Sequence, residues 1–245
     1  MKRILFACIV VLFPAVHADD GGWIDKMLER SKAGHYKMNF DAEMAVEQDG
    51  VEGDMTIGGT IEFVTQTTFR VDFDINLDLA GFEMVMETLT VANGTEFWIE
   101  MHAPMLGGAQ VMKGPVEKLN EMSGANVGSM GHDPLDQIGS IAQVFDLKLQ
   151  GVENGRVTLA ATVDPETAVT TMAELPMIES LRELVIVLDE KHAMPVEMRM
   201  IGEEPLMTMR FSDYAFFAAD DVDLTRYAYT PPEGVVVNDL SEMMP

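Results

Sequence analysis

Asp72, Asp74, Asn76 and Glu83 stand at the first, third, fifth and twelfth positions of a calcium-binding loop. Such a loop needs glycine at its sixth position for a sharp turn, and Leu77 stands there. Phe73, Ile75 and Leu77 interleave with the oxygen-bearing residues, so an extended strand with one wet face is expected instead of an ion site. The methionines offer a second chemistry. Of 21 in the chain, Met84/Met86, Met198/Met200 and Met207/Met209 repeat a Met-x-Met spacing, and thioethers are soft ligands for Cu(I). The same spacing puts both side chains of a pair on one face of a strand, and no histidine lies close in sequence to any pair. A plain core is one alternative to copper; a flexible, polarizable lining for variable apolar ligands is the reading carried forward. Beyond the leader, His35, His102, His132 and His192 are scattered, with no zinc-helix motif, nucleophile elbow or phosphate loop. No enzymatic activity, cofactor or metal is expected.

The elements that would position these residues are mostly strands. A helix is expected from Asp20 to about Ala33, where Trp23, Ile24, Met27 and Leu28 recur at helical spacing before Gly34. The period then becomes two: Met38, Phe40, Ala42, Met44 and Val46 alternate with polar partners up to an Asp49-Gly50 turn. Residues 55–64 form the next strand, with a bulge or bend at Gly58-Gly59. The clearest strand is 69–79. There Phe69, Val71, Phe73, Ile75, Leu77 and Leu79 point one way, and Arg70, Asp72, Asp74, Asn76 and Asp78 the other. Gly81 and Asn93-Gly94 turn the chain into strands 82–92 and 95–101. Residues 103–145 read as an insertion ending in a helix from Asp133, its cap, to Phe145. Strands follow at 146–150 and 156–163. A second, helical insertion at 164–182 is broken at Pro176, and further strands are expected at 183–189, 194–201 and 206–217.

The chain has 245 residues, 47% of them hydrophobic, and a formal net charge of −25. That charge excludes a protein that tracks nucleic-acid phosphates and disfavours attraction to anionic lipid headgroups. Lys2 and Arg3, an apolar run over 4–16 and small residues around Ala18 read as a secretory signal peptide of residues 1–18. The single cysteine, Cys8, lies within it, so residues 19–245, one domain, hold no disulfide.

Three segments resemble a known family. Residues 89–99, Leu-Thr-Val-Ala-Asn-Gly-Thr-Glu-Phe-Trp-Ile, are similar to the apolar strand, turn and aromatic strand of the periplasmic lipoprotein carriers of the LolA type. Residues 227–239, Tyr-Ala-Tyr-Thr-Pro-Pro-Glu-Gly-Val-Val-Val-Asn-Asp, resemble that family's closing stretch, and Phe69-Arg70-Val71-Asp72 its common strand start. The family includes lipid sensors of the RseB type and mycobacterial lipid transporters. Where the prototype carries an Arg-Pro latch pair, this chain has Thr65-Gln66.

The resemblance implies an α+β fold: one curved antiparallel sheet, a half-barrel of about ten to eleven strands, with an N-terminal helix and helical lid insertions on its concave face. It implies a monomeric periplasmic carrier that holds acyl chains of a lipoprotein or other lipid between sheet and lids. Inner-membrane loading and outer-membrane receiving proteins would be its partners; an RseB-like sensor is the alternative. The expected acyl lining is Phe69, Val71, Phe73, Ile75, Leu77, Met84, Met86, Phe97, Ile99, Met198, Met200, Met207 and Met209.

Overall fold

In the computed structural model, residues 20–32, 35–48, 51–103, 107–123, 133–164 and 178–241 are described. Helix α1 spans Trp23–Lys32, and Asp20 caps it by accepting the amide hydrogens of Gly22 and Ile24 at 2.8 and 2.9 Å. A meander follows: β1 (His35–Gln48), β2 (Val51–Thr65), β3 (Thr68–Leu79), β4 (Phe82–Asn93), β5 (Glu96–Ala103) and β6 (Gly108–Pro115). Helices α2 (Val116–Ser123) and α3 (Pro134–Val144) come next. Strands β7 (Lys148–Glu153), β8 (Arg156–Thr162), β9 (Glu183–Asp189), β10 (Pro195–Ile201) and β11 (Pro205–Phe217) complete the body, and β12 (Val237–Asp239) closes the described chain.

These strands form one open twelve-stranded sheet in the order β12-β6-β5-β4-β3-β2-β1-β11-β10-β9-β8-β7. The β3–β4 turn uses Ala80 and Gly81, and the β7–β8 turn Asn154 and Gly155, all at positive φ. That backbone matches the twist of a hairpin and favours glycine and asparagine. The Asp49-Gly50 turn, the helical reading of 165–177 and the signal peptide lie outside the described residues.

The sheet differs from expectation in two places. Residues 103–145 are not wholly an insertion, because β6 and α2 lie within them. The sequence of β6 is poor in β-formers, and Gly107 just before it and Gly108 at its start both have positive φ. Its order comes from pairing with β5, and Gly114 leaves room for the Phe97 ring, 3.0 Å from where a Cβ would stand. The second difference is at the other end of the chain. The sheet is not purely antiparallel, because the tail crosses its polar face and adds β12 parallel to β6. With β6 and β12 the strands among the described residues number twelve, beyond the ten to eleven expected.

The crossing tail is held by polar contacts. Glu62, buried on the polar face of β2, accepts from the Tyr227 hydroxyl at 2.7 Å and pairs with Arg226 at 2.8 Å. Tyr229 donates to Glu100 at 2.7 Å and lies tilted against the Trp98 ring. Burial, and then the adjoining carboxylates, push both tyrosine pKa values up, so both phenols stay protonated donors. At the end of the tail, Asp239 accepts from the Ser241 hydroxyl at 2.6 Å and pairs with Lys113 at 2.9 Å. The Ser241 hydroxyl first, and then Lys113, push the Asp239 carboxyl down to about 2.

Inside the sheet, Gly58 and Gly59 cause no bulge: β2 keeps register with β1 and β3 through both. At Gly59 the β3 backbone comes so close that a Cβ would lie 2.3 Å from the Asp72 carbonyl oxygen and 2.6 Å from the Phe73 Cβ. The glycine serves a close backbone approach.

Two predictions follow from these contacts. Gly59→Ala should lower stability in urea by about 1–3 kcal/mol, as overpacking does. Gly58→Ala, whose Cβ would meet only the Asp41 carboxylate at 3.1 Å, should be near neutral. The second concerns pH. Because the folded Asp239 has a lowered pKa, its stabilisation is full above the unfolded value near 4 and is lost as pH falls towards 2. Hydrogen-exchange protection of the Leu240 amide, which bonds the Lys113 carbonyl at 2.9 Å, should drop across that window. Asp239→Asn should remove the pH step.

Candidate functional site

Register lines the strand residues up in rows across the sheet, and successive rows alternate between its two faces. One row runs Leu184, Met200, Met207, Met44, Met55, Leu77, Met84 from β9 to β4. The next on that face runs Ile186, Met198, Met209, Ala42, Ile57, Ile75, Met86. Phe69, Val71, Phe73, Phe97 and Ile99 belong to the same face. All the residues expected to line an acyl site therefore share one surface. The rows add Met44, Met55 and Ile57, which sequence reasoning left in their strands without a role; their period-two spacing was the available signal.

Burial divides this face. At one end, Tyr36, Met38, Phe63, Phe69 and Phe97 are buried in a core cluster with Ile24 and Met27 of α1, Leu119 of α2, and Leu135 and Ile138 of α3. The Tyr36 hydroxyl donates to Asp133, which also caps α3 through the Leu135 amide at 2.8 Å. Towards the other end, the face emerges. Met44, Met55, Ile57, Ile75, Leu77, Met84, Met86, Met207 and Met209 are only half-buried, and Phe82 is 48% exposed. Val71 is half-buried too. Phe73, Ile99, Met198 and Met200 are buried. The expected lining thus splits: Ile75, Leu77 and the β4 and β11 methionine pairs form an open tract, while Phe69, Phe97, Ile99, Met198 and Met200 are packed core.

The opposite face of the same strands is acidic and wet. Asp54, Asp78 and Glu83 face one another across β2, β3 and β4, and Asp74 faces Glu87. These side chains are exposed. Like charges opposed on neighbouring strands are unfavourable, and water and salt screen them where they are exposed. The calcium-loop residues Asp72, Asp74 and Asn76 lie on this wet face of β3, with Glu83 on β4, in extended backbone that cannot form the loop. Among the described residues no group of His, Cys, Asp and Glu side chains converges on a metal position, and no helix is long and apolar enough to cross a bilayer.

A shallow cleft lies elsewhere, between α1 and the β9–β10 turn, lined by Trp23, Arg30, Glu190 and His192. Lys26 stands 4.0 Å over the Trp23 ring there, and His192 pairs with Asp189 at 2.8 Å. It sits at the opposite end of β9 and β10 from Met200 and does not join the tract.

Comparison with family models and with curated proteins returns no match. Solved structures similar to the chain include LprF from Mycobacterium bovis: 13% identity, 79% of this chain and 93% of that one, TM-score 0.44. They also include the MucA/MucB complex of Pseudomonas aeruginosa, at 14% identity and TM-score 0.38, where 87% of this chain matches 62% of the other. A third is a putative outer membrane lipoprotein-sorting protein domain from Vibrio parahaemolyticus: 9% identity, 85% of this chain and 97% of that one, TM-score 0.30.

The division of the methionines is directly measurable. Under mild peroxide, Met44, Met55, Met84, Met86, Met207 and Met209 should oxidise well before Met27, Met38 and Met194, which are fully buried. Peptide mass spectrometry against exposure time checks the order.

Proposed function

We propose that the chain is a periplasmic lipid carrier that takes acyl chains onto the open methionine-rich tract. The observation that supports this is a continuous, half-exposed apolar surface on a protein whose net charge is −25. An exposed apolar patch of this kind marks an interaction site. The ligand matching it is long, flexible and apolar. Each methylene buried contributes about 0.8 kcal/mol, so one long chain laid across several strands would be held firmly. Thioether side chains re-pack around ligands of varied shape. The acidic opposite face would keep the loaded protein from lingering on anionic membranes.

In this reading residues 1–18 are removed on export, and residues 19–245 act as one monomeric domain. Helical segments over the sheet serve as lids, and loading and receiving proteins sit at the inner and outer membranes. It is the reading that the resemblance to lipoprotein carriers implies. No catalytic step is assigned.

A second reading, a regulatory interaction protein on the same fold, has one observation in its favour. Among the described residues the edge strand β7, with exposed Leu149 and Val152, has no strand paired on its outer side, a surface that a partner strand could extend.

Native mass spectrometry of protein isolated from the envelope of its own cells separates the two readings. Co-purifying lipid supports the carrier; a bound protein without lipid supports the regulator. Within the carrier reading, Ile75→Asp should abolish lipid co-purification, because an unpaired carboxylate on an apolar surface is costly to desolvate. Asn76→Asp, the next residue on the wet face, should leave the load unchanged. An Ile75→Asp protein that keeps its circular dichroism spectrum and its full lipid load would overturn the assignment of this tract.

A further inference from the structure

One side chain on the apolar face is polar and unmatched. Thr88 of β4 is 3% exposed, and its hydroxyl oxygen is buried with no hydrogen-bond partner. Buried polar groups are nearly always satisfied, so each exception calls for a reason. Thr90, the next residue on the same face, is fully buried and does have a partner. Valine has almost the same shape as threonine and would fill the site without the desolvation penalty of an unused hydroxyl.

The position of Thr88 suggests a reason. Its row runs Phe40, Gly59, Phe73, Thr88, Met101, Gln110 from β1 to β6. On one side of Thr88 the row is apolar, and on the other it leads through half-buried Met101 to exposed Gln110 at the β6 end. Along β4, Thr88 stands between half-buried Met86 of the open tract and buried Thr90 of the covered end. Thr88 therefore marks the corner where the open tract meets both the buried core and, through Met101, the exposed Gln110 of β6. Met86 and Met101, its neighbours along and across the strands, are flexible side chains able to swing aside.

Taking the tract as a lipid site, we propose that Thr88 selects lipids whose acyl chain ends in a carbonyl, as in an ester or amide, over lipids with a plain alkyl chain. The hydrocarbon would lie across β3, β2, β1 and β11, about 19 Å from β4 to β11 at the usual strand spacing. The acyl carbonyl would come over β4 and accept the Thr88 hydroxyl, with the headgroup directed past Met101 towards Gln110. A hydroxyl donates one hydrogen bond, and a carbonyl is a far better acceptor than an ether oxygen. This rests on the carrier reading for its site and adds the chemical class of the cargo.

The test uses the full mature chain with N-phenyl-1-naphthylamine as a fluorescent apolar probe. It is displaced either by 1-palmitoylglycerol or by its ether analogue 1-O-hexadecylglycerol. The wild type should bind the ester roughly five- to tenfold more tightly than the ether, the worth of one hydrogen bond. Thr88→Val should bring the two together by weakening the ester alone, and Thr88→Ser should keep the preference. Thr88→Val should also raise the urea midpoint of the ligand-free protein, since it removes an unsatisfied group. A lowered midpoint would show that the hydroxyl has a partner within the protein, and would overturn the inference. Equal binding of ester and ether by the wild type, or a preference that survives in Thr88→Val, would overturn it while leaving the lipid site standing. If neither glycerol lipid displaces the probe, or the probe does not bind, the reading of the tract as a lipid site falls and the inference with it.

Discussion

Strict two-residue alternation, kept in register across neighbouring strands, is the constraint on which this molecule depends. A slip of β3 by one residue would carry Arg70 and Asp72 towards the buried end, put Asp74 and Asp78 on the apolar face, and turn Phe69 and Phe73 out to the wet one. The cost of burying unpaired carboxylates makes such a slip prohibitive. The contrast between faces is therefore what pins the pairing, more firmly than any turn. It also lets exposed like charges face each other on the wet side, where each pair costs little.

The two faces are covered by different means. On the polar side, the tail lies across the sheet and is fixed at Glu62, Glu100 and Lys113 before β12 joins the β6 edge. Edge strands invite unwanted pairing, and a short parallel strand from the same chain blocks one edge. On the apolar side, the helices bury the end around Tyr36 and Phe97, and the long strands β1 to β4 run on beyond it. The open tract follows from that difference in reach. Its position is set by strand length, and its chemistry by the methionines that occupy the rows there.

Much of this was legible in the sequence because alternation is a local signal. Strand β3 and its wet and dry faces follow from residues 69–79 alone, and α3 follows from Asp133-Pro134 at its start. What could not be read was order imposed from outside a segment. Strand β6 has few residues that favour a strand and exists because β5 offers it a ladder and Phe97 a seat at Gly114. Strand β12 is three residues long and depends on where the tail lands. For the site, period two identified which residues share a face, but not how far the helices reach over it. That is why Phe97, Ile99, Met198 and Met200 were grouped with Ile75 and Met86, although the first four are core and the last two are open. Thr88 gave no signal, since threonine is an ordinary strand residue and only its lack of a partner sets it apart.

A carrier must bind strongly enough to extract a chain from a membrane and weakly enough to give it up. With about 0.8 kcal/mol for each methylene buried, a tightly fitted pocket would hold a long chain too well to release it on a useful timescale. An open tract leaves part of the ligand surface in water and so discounts that affinity. Flexible thioethers discount it again, because side chains that keep several rotamers gain less from a close fit than leucine or isoleucine would. Wherever affinity comes from such a tolerant surface, hydrocarbon alone discriminates poorly between one lipid and another. Discrimination then has to come from the few polar atoms the ligand can reach. If the apolar face takes lipid as proposed, one unmatched hydroxyl on it would have a disproportionate influence on which lipid is held.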